Sequence, residues 1–127
     1  MSAILVRDLV RDLGAESASL DALVAPLPPK KWATPTPALG WTIAHQIAHL
    51  AWTDRLVLLS AIHEEAFAAA AARAATDPTG FTDAGAHQLA AEEPGKLLTT
   101  GVTASSSCVR RSRTYLVAGT CRGSGRA

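Results

Sequence analysis

The run from Thr42 to Leu59 is apolar on two opposite sides of a helix, and this constrains the fold more than any other feature of the chain. At about 100° per residue, His45, His49, Trp52, Leu56 and Leu59 fall in one stripe, while Ile43, Ile47, Leu50, Val57 and Leu58 fall on the other side. A helix apolar on both sides needs cover on both, which places it at the centre of a bundle. Thr42 suits the N-cap, since its hydroxyl can accept from an orphan amide of the first turn.

The flanking segments agree. From Ala3 to Val24, Leu5, Leu9, Leu13, Leu20 and Leu23 recur at helical spacing, with Arg7, Asp8, Arg11 and Asp12 off the stripe. Pro26-Leu27-Pro28-Pro29 ends that helix, because proline has no amide donor and restricts the residue before it. A connection through Trp32 and Thr34-Pro35-Thr36-Pro37 leads to Gly40. Beyond the central run, Ala66 to Ala75 continues as helix until Asp77-Pro78-Thr79-Gly80, and a further helical stretch spans about Thr82 to Glu92 before Pro94-Gly95. No segment alternates polar and apolar residues long enough for a strand. The expected fold is all-α.

Composition changes near residue 100. Residues 1–100 hold seven Lys or Arg against eleven Asp or Glu, whereas residues 101–127 hold five arginines, no acid and both cysteines, Cys108 and Cys121. The cysteines are thirteen apart and match no zinc or redox spacing. Arg110, Arg111 and Arg113 lack aromatic interleaving and follow an acidic body, so nucleic-acid binding is not expected. No apolar run reaches the roughly 18 residues of a membrane span, and charges in the first turns break any signal-peptide core. A cytoplasmic protein without membrane contact is the expectation.

Chemistry concentrates in His45-Gln46-Ile47-Ala48-His49. Spacing of i,i+4 stacks the two imidazoles on one helical face, and histidine is the commonest protein metal ligand. The string is one residue from His-Glu-x-x-His, but Gln46 cannot act as the general base of a zinc protease. The plain alternative is that one or both rings pack in the bundle with their nitrogens satisfied by backbone or side-chain partners. Trp41 and Trp52 are expected as core anchors, with Trp52 also able to wall a site, while Asp54 points away from the histidine stripe.

The string Gly40-Trp41-Thr42, His45, Ala48-His49-Leu50-Ala51 resembles the metal-binding helix of the mycothiol-dependent maleylpyruvate isomerase family. That family lies within the wider DinB-like group of four-helix-bundle metalloenzymes. The resemblance covers roughly residues 3–100 and implies an up-down helical bundle, incomplete here. It implies that His49 is a metal ligand, with His45 a second candidate ligand or an outer-shell group. It also implies a divalent metal such as zinc, with mycothiol as co-substrate and a small-molecule substrate. Family members carry further ligands in a later Glu-x-x-x-His pair, which this chain lacks after His49. Missing ligands would then come from a partner chain in a homodimer, or the chain would be a non-catalytic remnant or helical association module.

Codon degeneracy bears on that gap. Read from each third base, the codons of Thr100 to Ala104 permit Trp-Arg-Asp-Gly, and those of Gly119 to Ala127 permit Asp-Val-Pro-Trp-Phe-Gly-Pro-Gly. The latter resembles the segment that precedes the Glu-x-x-x-His helix in relatives. The expected division is therefore a partial metal-binding helical domain over 1–100, and an out-of-frame, disordered tail over 101–127.

Overall fold

Prolines and short polar caps set the helix boundaries. The computed structural model describes residues 3–99, and the expected disordered, out-of-frame tail falls outside them. Helix α1 spans Ala3–Val24, a 3-10 turn spans Pro29–Ala33, and α2, α3 and α4 span Ile43–Ile62, Glu64–Thr76 and Pro78–Ala90. Residues 94–99 are helical again. Among the described residues extended backbone pairs in a single bridge, between Pro35 and Thr42, so the fold is an all-α bundle.

Two boundaries differ from the sequence expectation, each through a residue that serves two helices. The central helix does not continue into the Ala66 run. His63 leaves helical geometry at φ −147° and ψ 77°, donates its N–H to the Leu59 carbonyl at 2.8 Å, and accepts the Ala66 N–H on Nδ1 at 3.4 Å. It therefore closes α2 and caps α3. Asp77, at φ −154° and ψ 82°, joins α3 to α4 in the same way, its carboxylate accepting the Gly80 N–H at 3.0 Å. Helix α4 thus begins at Pro78 rather than near Thr82, with proline at the position where the missing N–H costs nothing. Pro94-Gly95 is likewise a helix start, with Glu93 accepting the Lys96 N–H at 3.1 Å.

Helix α2 packs most extensively on α4, and also on α3 and the 3-10 turn. The buried cluster is Val24, Trp32, Ile47, Ala48, Ala51, Leu89 and Leu97, with Leu20, Leu27 and Trp52 against it. Trp32, expected only as part of a connection, is the aromatic anchor at 3% exposure. Trp41 and Trp52 are only partly buried. The second apolar side of α2 is covered in part: Ile47 is buried, but Leu50 and Val57 are each 47% exposed.

The leucine stripe of α1 departs furthest from expectation. Leu20 and Val24 join the core, yet Leu5, Leu9, Leu13 and Leu23 are exposed. The turn through Leu27 and Trp32 fixes only the C-terminal end of α1 against α2. The extensive helix packings involve α2, α3, α4 and the 3-10 turn, not α1.

Candidate metal centre on the central helix

A short loop before α2 shapes this region. Thr36 donates its N–H to the Trp41 carbonyl at 2.8 Å, and Ile43 donates to the Thr34 carbonyl at 3.0 Å, so residues 34–43 fold back as a miniature hairpin. Gly40 makes the reversal at φ 77°, a left-handed conformation that favours glycine. Gln46 ties the loop down by donating from Nε2 to Thr36 Oγ1 at 3.1 Å, and that hydroxyl donates to the Trp41 carbonyl at 3.0 Å. The residue that stands in place of a protease glutamate therefore anchors the loop.

Anchored in this way, Trp41 lies across both histidines of α2. Its ring centre is 6.3 Å from that of His45 and 5.4 Å from that of His49. Trp52 flanks His49 from the next turn at 6.3 Å and meets Phe81 of α4 edge-on at 5.0 Å. His49 is thus set between two indoles. Its Nδ1 is buried without a hydrogen-bond partner. An unmade bond at a buried nitrogen costs about 1–3 kcal/mol, and most such atoms in folded proteins are satisfied.

His45 has a different environment. Its Nδ1 accepts the Thr42 N–H at 3.2 Å and lies 2.9 Å from Thr42 Oγ1, completing a capping box at the start of α2. An amide can only donate, so this bond leaves the ring proton on Nε2. The nearest ring from another element is His87 of α4, edge-on at 4.6 Å. His87 donates Nδ1–H to the Asp83 carbonyl at 2.8 Å, one turn earlier in its own helix, which in the neutral ring places the lone pair on Nε2. Pairing by sequence spacing joins His45 to His49; the structure adds His87 across the α2–α4 interface. A search for Glu-x-x-x-His misses it because residue 83 is Asp, and no short motif marks it, since His87 is held by a main-chain carbonyl that any residue at 83 supplies.

Burial, and then the charge of His87, lower the pKa of His45 below its ordinary value of 6.5. Folding therefore favours neutral His45, and the unfolded chain binds more protons below pH 6.5. The stabilisation is complete above 6.5 and is lost as pH falls through the lowered folded value. Thermal midpoints at pH 5 and 7.5 should differ less in His45→Gln than in the wild type. Glutamine keeps the capping box while removing the titration; an unchanged pH dependence would assign it to other groups.

Among the described residues no group of three His, Cys, Asp or Glu is arranged to hold a metal. A catalytic zinc site usually takes three protein ligands and one open position. The donor set near His49 therefore offers one nitrogen and does not complete such a site.

These features define an all-α bundle whose central helix presents histidines beneath tryptophan. The chain belongs to the mycothiol maleylpyruvate isomerase N-terminal domain family, whose sequence profile matches residues 13–113. It is similar to two uncharacterized Mycobacterium tuberculosis proteins, Rv0036c of strain H37Rv and MT0041 of strain CDC 1551 / Oshkosh. Each is 58% identical over 90 residues, 71% of this chain. The match covers 35% of each relative, so the chain spans about a third of their length. No solved structure matches. No helix among the described residues is long and apolar enough to cross a membrane.

Proposed function

We propose that this chain is the metal-binding helical part of a thiol-dependent enzyme of the maleylpyruvate isomerase type, acting on a small molecule with a thiol such as mycothiol. Family membership supports the class of chemistry. The observation that carries the site is the buried, unpartnered Nδ1 of His49 between Trp41 and Trp52. His49 is the protein's contribution to a zinc centre, and His45 orients the start of the helix that bears it. A bound zinc would supply a stabilised thiolate at neutral pH. The remaining ligands come from outside the described residues, in the part of the fold that the relatives' greater length provides or in a second copy of the chain. A cytoplasmic location accords with a low-molecular-weight thiol as co-substrate.

One observation favours a second reading. With a single buried, unpartnered side-chain nitrogen and no three-ligand group among the described residues, the chain can also serve as a helical association module without catalysis.

Zinc titration followed by NMR of the histidine ring protons separates these readings. Zinc should shift or broaden the His49 resonances, and His49→Ala should lower the zinc capacity by one site. Resonances of His49 that stay fixed as zinc is added would remove it from any metal centre and leave the association module.

A further inference from the structure

We propose that His45 and His87 form a second, two-histidine site for a divalent transition metal that clamps α2 to α4, separate from His49. The rings come from the two helices that pack most closely, and their centres are 4.6 Å apart at an interplanar angle of 68°. Two imidazoles sharing one zinc, each with Zn–N of about 2.0–2.1 Å, hold their ring centres on the order of 5 Å apart. The observed separation is already close to that value.

The outer contacts of the rings fit this role. Metal-ligating histidines generally donate their other ring N–H to a carbonyl or similar acceptor, which fixes the ring and exposes the ligating nitrogen. His87 already does so, with Nδ1–H on the Asp83 carbonyl at 2.8 Å, so that the neutral ring carries its lone pair on Nε2. His45 is one tautomer away. Its proton passes from Nε2 to Nδ1 by exchange with solvent; Nδ1 then gives up the Thr42 N–H it accepts at 3.2 Å and donates instead to Thr42 Oγ1 at 2.9 Å, so zinc joins two neutral rings with no net proton released. His87 is exposed, which gives the ion a path to the pair. His49 lies against Trp41 and Trp52 and makes no ring contact with His87.

The test uses the full chain carrying His49→Gln, with zinc alone as the probe, so that it does not depend on the reading of His49. That chain should bind one zinc and melt at a higher temperature with zinc than without, because an ion held only by the folded helix pair stabilises it. Adding His87→Gln, a change at an exposed position, should weaken binding by at least about tenfold, the lower bound seen when even an outer-shell partner is lost, and should abolish the thermal shift. His45→Gln, which keeps the helix cap, should do the same. Zinc affinity and thermal shift unchanged by His87→Gln would overturn the clamp, as would failure of the His49→Gln chain to bind zinc at all.

Discussion

Trp32→Ala should destabilise the protein by about 3–5 kcal/mol, the cost of truncating a buried tryptophan to alanine. The size of the effect follows from how little else fills the core. The buried residues include Ala48, Ala51, Ala70 and Ala86, so among the described residues the large buried side chains are few: Trp32, Ile47, Leu89 and Leu97, with Val24. Trp32 is inserted from the 3-10 turn among Val24, Ile47, Ala48, Ala51, Leu89 and Leu97, the residues through which α1, α2, α4 and the segment after α4 converge. Alanines on facing helices cannot expand to refill the void, and helix backbones would have to move to close it. Urea denaturation should show a much lower midpoint, and Trp32→Phe should recover most of the loss. A Trp32→Ala protein within about 1 kcal/mol of wild type would mean that the turn is not part of the core.

The helical period in residues 42–59 was enough to specify an all-α fold with this helix at its centre, because a helix apolar on opposite sides has few other places to go. The start at Thr42 was legible for the same local reason that makes threonine a cap. The end of α3 at Asp77 was legible from Asp77-Pro78, but the restart of α4 at Pro78 and the break at His63 were not. Each residue ends one helix and starts another without a connecting loop; a histidine carries no such signal, and Asp-Pro fits a helix stop as well as an N-cap with proline at the first position. Burial was legible only where a partner exists nearby: Leu20 and Val24 pack, while Leu9, on the same stripe, is 55% exposed. Periodicity shows which face would be buried, and only the packing partners decide whether it is. In the candidate site, His45 and His49 could be read from their spacing. Their separation into a capping residue facing His87 and a ring set between indoles depends on the loop over residues 34–43 and on the position of α4, which no short motif encodes.

Gly85→Ala should destabilise the protein by about 2 kcal/mol, although alanine is the better helix former by about 1 kcal/mol. A Cβ built at Gly85 would overlap the atoms of the Trp52 indole, so the close approach of α4 to α2 depends on having no side chain there. The indole has little freedom to withdraw, since Phe81 meets it edge-on at 5.0 Å and His49 lies 6.3 Å away. Overpacking of this kind costs about 1–3 kcal/mol, and so deep an overlap belongs at the upper end, which outweighs the gain in propensity. Removing the indole should reverse the sign. In a Trp52→Ala background, Gly85→Ala should be neutral or stabilising, and the difference between the two backgrounds measures the coupling directly. Because Trp52 also flanks His49, the single variant should shift the His49 ring resonances as the indole is displaced. If Gly85→Ala raises the thermal midpoint of the otherwise wild-type chain, the indole does not lie over α4, and the tryptophan setting of His49 fails with it.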